Sequence, residues 1–196
     1  GSSDSHTVTA NGISSSSIIP AAGMYAWSFD GSNDYVQVDD GLNFATDPGQ
    51  NFTIEGLVYF EDTSGSTFEC LLGINKASDG TNHLIFSTES GNWKYHWNGG
   101  SKTNTGVAAK QNVWQHFALT YDGYDFRIFI DGALIATNAT DATTALNDCT
   151  LLIGAEADAA NAGNKGNYFD GIMSNFRISR YARYTASFTP PTELKA

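Results

Sequence analysis

The chain is poor in positive charge: 10 Lys and Arg stand against 21 Asp and Glu in 196 residues, a formal net charge of −11. A nucleic-acid binder needs cations to neutralise phosphates, so this composition excludes nucleic acid as a partner. An acidic surface favours solubility and divalent cations instead. Cysteine is scarce too, and Cys70 and Cys149 cannot build a dense disulfide framework or a four-ligand zinc site. No run approaches the roughly 18 apolar residues of a spanning helix, so no membrane insertion is expected. The opening "GSSDSHTVTANG" has neither a basic segment nor an apolar core and does not read as a signal peptide. Helical periodicity is missing as well. No long run keeps a 3.6-residue period free of Gly and strand formers.

What is present is aromatic and alternating. Hydrophobic residues make up 41% of the chain, with 12 Phe, 9 Tyr and 4 Trp, enough for one sizeable core. Residues 1–22 read as a Ser-rich arm or linker, flexible unless it docks, and residues 23–196 as one domain. From Tyr25 onward short alternating runs recur between Gly, Asn, Asp and Ser clusters, the grammar of an all-β sandwich or barrel. "FTIEGLVYF" puts Phe52, Ile54, Val58 and Phe60 on one face, with Thr53 and Glu55 opposite. "FECLLGI" places Cys70 with Phe68, Leu72 and Ile74, facing a core. "HLIFSTESGNWKYHW" reads as a hairpin turning at Glu89 to Asn92. "WQHFALTYDGYDFRIFIDGALIA" holds three strands joined by Asp122-Gly123 and Asp131-Gly132, since Asp-Gly suits the positive φ of type I′ turns. Roughly a dozen strands around one core imply two facing antiparallel sheets with jelly-roll crossings.

"FDGSNDYVQV", "FTIEGLVYF", "WQHFALTYDGYDFRIFIDGALIA", "LLIGA" and "YFDGIMSNFRIS" occur in an order and spacing that resemble laminin-G-like and pentraxin-like domains of the concanavalin A-like superfamily, over roughly residues 25 to 180. The closing "YTASFTPPTELKA" resembles versions found in tailed-bacteriophage virion proteins and bacterial surface proteins. The resemblance implies a two-sheet antiparallel jelly-roll sandwich serving as a binding module, often for glycans. Pentraxins hold calcium with Glu-x-Asp after a strand ending in Gly. "LLIGAEAD" looks like that segment, which implies Glu156 and Asp158 as metal ligands, with Asp79 and Asn82 of "ASDGTNHLIF" as partners at looser spacing.

The residues make a case of their own. The strand from Leu71 runs toward Asp79 and the strand from Leu151 toward Glu156, so both loops are expected on one rim. Asp79, Asn82, Glu156, Asp158 and the carbonyl of Ala157 would give part of the six to eight oxygens that calcium takes. Plain solvated loop acids are the alternative. Asp30, Asp34 and Asp170 form a second acidic set, where Asp before Gly also simply makes turns.

Catalysis is not expected. β-Glucanase strands carry Glu-x-Asp-x-x-Glu with two carboxylates about 5 Å apart, and "EADAAN" has Asn161 where the last Glu should stand. There is no Gly-x-Ser-x-Gly, and "GGSKT" opens no helix. "NWKYHW" lines up Trp93, Tyr95 and Trp97, a row that reads first as core and second as a sugar-stacking stripe. Trp97 and Asn98 at the strand end, with Asn164 and Lys165 in the loop after Asp158, are the candidate sugar contacts. Cys70 and Cys149 could stand at matching heights, leaving a disulfide and two buried thiols both open. The expectation is a non-catalytic lectin-like module, with calcium as its candidate cofactor, that meets a glycan or surface polysaccharide outside the cell or on a virion surface. The alternative is an assembly domain contacting virion proteins or its own copies.

Overall fold

The computed structural model describes residues 7–39, 51–64, 68–76, 82–97, 101–139, 149–158 and 161–191. They form two seven-stranded antiparallel sheets and no helix. Sheet A runs β1 (Val8–Asn11), β4 (Tyr35–Val38), β13 (Cys149–Ile153), β6 (Phe68–Lys76), β7 (Asn82–Glu89), β8 (Asn92–Trp97) and β9 (Thr103–Ala108). Sheet B runs β12 (Ala133–Ala139), β11 (Asp125–Ile130), β10 (Trp114–Tyr121), β5 (Phe52–Tyr59), β16 (Asp170–Ser179), β3 (Ala26–Asp30) and β2 (Ser14–Ser15). A separate hairpin pairs β14 (Glu156–Asp158) with β15 (Asn161–Gly166). The all-β sandwich expected from the alternation is the one observed.

Facing follows the sequence where it alternates. Phe52, Ile54 and Val58 meet Leu72, Ile74 and Phe86 between the sheets. The row on β8 is core: Trp93 stacks on Phe86 at 4.9 Å between centroids and Trp97 on Phe126 at 4.2 Å. All three predicted hairpins form. Ser90-Gly91 and Asp131-Gly132 have positive φ at both positions, as a two-residue type I′ turn requires, whereas at Asp122-Gly123 only the glycine does, so that turn is not the type I′ expected. At Gly132 a Cβ would also sit 2.0 Å from the Phe188 carbonyl oxygen, so only glycine serves there.

The arm docks. Val8–Asn11 add to β4 and Ser14–Ser15 to β3, so the chain crosses from one sheet to the other at Gly12 and Ile13. Cys70 and Cys149 are buried and not joined by a disulfide. Matching heights are not observed: β6 and β13 are antiparallel, and Cys149 lies opposite Lys76, six residues from Cys70. At about 3.4 Å per residue that is roughly 20 Å, far beyond disulfide reach.

The outer face of sheet B is covered. Thr53 and Glu55, polar and opposite the core on β5, are nevertheless fully buried. The closing segment around Tyr181 to Pro190 lies over them. Thr53 Oγ1 donates to the Tyr181 carbonyl at 2.9 Å, the Phe188 amide donates to the Gly132 carbonyl at 2.9 Å, and Tyr184 stacks on Phe188 at 3.5 Å.

Candidate functional site

The outer face of sheet A is organised by a short excursion. β13 ends at Gly154, whose φ of +83° and contact with the Phe29 ring leave no room for a Cβ. The chain then folds back over β6. A Cβ at Gly73 would lie 2.9 Å from the Ala155 carbonyl oxygen and 3.0 Å from the Glu156 Cα, so glycine on β6 makes the seat for this return. Leu72 and Ile74 flank Gly73 and point into the core, which puts the seat on the outer face. From there Glu156 pairs with Gly166, Ala157 with Lys165, and Asp158 with Asn161 across a bulge.

Polar groups gather on this hairpin. The Asn167 side-chain amide donates to the Glu156 carboxylate, while the Asn167 carbonyl accepts from the Cys70 amide at 2.8 Å, tying the hairpin to β6. Asn167 adopts φ +50°, a backbone state that asparagine tolerates better than most residues. Lys165 holds its ammonium 4.7 Å above the Tyr35 ring, and its carbonyl accepts from the Tyr168 hydroxyl at 3.1 Å. Burial pushes the Tyr168 phenol above its ordinary pKa, and the nearby Tyr35 adds to that shift. Asn164 is exposed.

Several predicted residues therefore converge, although not by the expected route. β6 and β13 are antiparallel neighbours, with Leu72 opposite Ile153, so the strands leading toward Asp79 and Glu156 point opposite ways. It is the fold-back at Gly154 that returns Glu156 over β6. Asn82 pairs with Asn75, two positions along β6 from Gly73, which sets its backbone near the same seat. Asp158 lies on the hairpin with Asn164 and Lys165. Asp79 and Asn98 lie outside the described residues. Trp97 is corrected: its ring is 4% exposed and stacked on Phe126 in the core, so it presents no face to a sugar. Among the described residues no three acids, histidines or cysteines are grouped to hold a metal ion.

The second acidic set divides by role. Asp30 accepts the Ser32 and Asn33 amides at 2.8 and 3.2 Å, and these hydrogen bonds hold its carboxyl below the ordinary range: it makes a turn. Asp34 is buried and accepts the Asp30 amide at 3.0 Å. Asp170 pairs with Asp30 and, with Glu69, Asn167 and Tyr168, lines a cavity of about 290 Å³. Burial pushes Glu69 up to about 7, aided by the charges of Asp170 and Asp62 and opposed by a hydrogen bond to the Asp170 backbone. Glu69 was not legible as a site residue, because one acid within an apolar strand looks like ordinary outward alternation.

Glu55 is the acid of the first long strand, and it is sealed in. Arg177 donates to its Oε1 from Nε at 3.0 Å and from Nη2 at 2.7 Å. Tyr184 donates to its Oε2 at 3.0 Å, and His116 Nε2 lies 3.1 Å from the same oxygen. Burial raises its pKa, but His116, Arg177 and Tyr184 outweigh that and hold the carboxyl below its ordinary value.

This architecture defines a concanavalin A-like jelly roll. The family model for the concanavalin A-like lectin/glucanases superfamily (Laminin_G_3) matches residues 30–187, and the chain belongs to that family. No curated protein matches it in sequence. Among solved structures it is similar to the heptameric SAP-like pentraxin of Limulus polyphemus, with TM-score 0.59 and 16% identity over 82% of this chain and 77% of that one. Domain 4 of AbnA, an extracellular arabinanase of Geobacillus stearothermophilus solved with arabinotriose, gives 0.62 and 17% over 90% and 82%. The botulinum neurotoxin serotype D ligand-binding domain, solved with N-acetylneuraminic acid, gives 0.66 and 10% over 91% of this chain and 43% of that one. The chain thus spans under half the length of the toxin domain. These likenesses show the fold.

Proposed function

We propose that this domain is a non-catalytic glycan-binding module of an extracellular or virion surface, and that it binds at the β14–β15 hairpin on sheet A. The observation that carries the reading is the seating of Glu156 over Gly73. It puts Lys165, whose ammonium lies over Tyr35, and the exposed Asn164 and Asn167 on one short excursion of the chain. Sugar hydroxyls both donate and accept, so a carboxylate, two amides and an ammonium offer the matching partners. Neighbours whose structures hold sialic acid or arabinotriose support the substrate class by analogy of fold. Hydrolysis is disfavoured because Glu55 is buried in ion pairs, out of reach of a substrate on the surface.

Calcium, held by Asp79, Asn82, Glu156 and Asp158, is the cation-assisted form of this proposal. A glycan array followed by calorimetry tests both parts. Binding is expected with wild type and reduced about tenfold in Lys165→Ala or Asn164→Ala, the loss of roughly one charged or two neutral hydrogen bonds. A melting temperature that responds to neither calcium nor EDTA would remove the cation. An array without hits would favour the assembly alternative.

A further inference from the structure

The two lateral sides of the sandwich are finished differently. On one side β9 and β12, the outermost strands of their sheets, touch and close the core. On the other side the outermost strands are β1 and β2, and there the sheets part. The gap is a cleft of about 710 Å³ with Val8, Trp27, Val38, Ile153 and Met173 in its walls. Tyr25 and Trp27 alternate with the core residue Phe29 and so face inward, yet they are 82% and 44% exposed, and Val8 is 63% exposed. Inward-facing rings left in water mark burial that this chain does not complete alone.

The strand beside the cleft is unprotected. All four residues of Val8–Asn11 are exposed, and among the described residues the strand pairs only with β4. Sheet edges are ordinarily blunted by Lys, Pro or a bulge, and β1 carries none of these. Charge then selects the occupant. Among the described residues no charged side chain lines the cleft or lies in β1, on a chain of net charge −11. Copies of so acidic a chain repel wherever their acids face, and the described lining of this cleft and β1 itself bring no acid into such a contact.

We propose that the cleft is covered by a second copy of this chain, β1 against β1 about a twofold axis, each copy closing the other's cleft. Such a contact is isologous, because the same strand and the same rings serve both partners. Two paired strands of four residues supply few hydrogen bonds and far less than the roughly 1,600 Å² of a standard interface. Val8, Tyr25 and Trp27 must therefore contribute the apolar part. This inference stands independently of glycan binding.

Analytical ultracentrifugation of the full chain over a concentration series provides the test. Wild type is expected to dimerise reversibly. Val8→Glu and Val8→Lys, at an exposed position that tolerates either side chain, are each expected to be monomeric, and their equimolar mixture to recover the dimer. Trp27→Ala is expected to raise the dissociation constant about tenfold or more while β1 stays intact. Unchanged far-UV circular dichroism in each variant separates loss of contact from loss of fold, and Thr9→Lys on the other face of β1 replaces any Val8 variant that fails to fold. A wild type that stays monomeric and binds a hydrophobic dye in the cleft would overturn the proposal. So would a dimer indifferent to both Val8→Glu and Trp27→Ala.

Discussion

The two outer faces of the sandwich carry similar polar chemistry and put it to different use. On sheet B, Glu55 is ringed by Arg177, His116 and Tyr184 beneath the closing segment, and its carboxylate is fully buried. On sheet A, Glu156 sits at the seat of a short hairpin whose neighbours Asn164 and Lys165 reach solvent. Buried and saturated, a carboxylate locks a segment in place. Half-buried and bonded to Asn167, the carboxylate on sheet A stands beside an asparagine and a lysine that keep contact with solvent.

The contrast breaks most visibly at Glu55. Glu55→Ala leaves Arg177 and the Tyr184 hydroxyl without their carboxylate, and a loss of about 3–5 kcal/mol is expected in urea denaturation, with faster proteolysis of the closing segment. The pH dependence has a defined sign. Because the folded carboxyl is held below its ordinary value of about 4.5, its stabilisation is complete above that value and fades as pH falls through the lower folded one. Glu55→Gln should remove that part of the acid-unfolding slope.

Lifting the hairpin is a smaller perturbation aimed at the other face. Gly73→Ala places a methyl 2.9 Å from the Ala155 carbonyl oxygen, and a cost of about 1–2 kcal/mol is expected along with a disproportionate loss of glycan affinity. If stability falls and glycan affinity does not, the hairpin is not the binding surface. The smallest effect belongs to Glu69, in the cavity that shares Asn167 with the hairpin. Its folded pKa of about 7 lies above the unfolded one, so the fold weakens as pH rises from about 4.5 to about 7 and stays weakened beyond. Glu69→Gln should raise stability at pH 8 by roughly 1 kcal/mol after discounting for solvent screening, and leave it unchanged at pH 4. Thermal melts at the two pH values check this.

Much of the fold was legible because its signals are local. Alternation on β5 and β8 placed Ile54 and Trp93 in the core, and Asp131-Gly132 announced its hairpin through the φ values that turn demands. Alternation misled at Thr53 and Glu55, where polar residues opposite the core are covered by a segment more than a hundred residues later. Trp97 was misjudged as a rim ring because a strand-end position in sequence does not reveal how deep the facing sheet reaches. Glu156 and Lys165 were singled out in the sequence by their chemistry, yet the fold-back that carries their hairpin over β6 rests on Gly73 and Gly154, two glycines far apart in sequence.

By itself the sequence determined strand character, facing and turns, since these depend on neighbours within a few residues and on the backbone freedom of Gly. Which acid is sealed and which stands open was decided by tertiary structure alone. The ionisation and reach of a carboxylate depend on the groups that surround it in space, and at Glu55 those come from two separate strands and the closing segment.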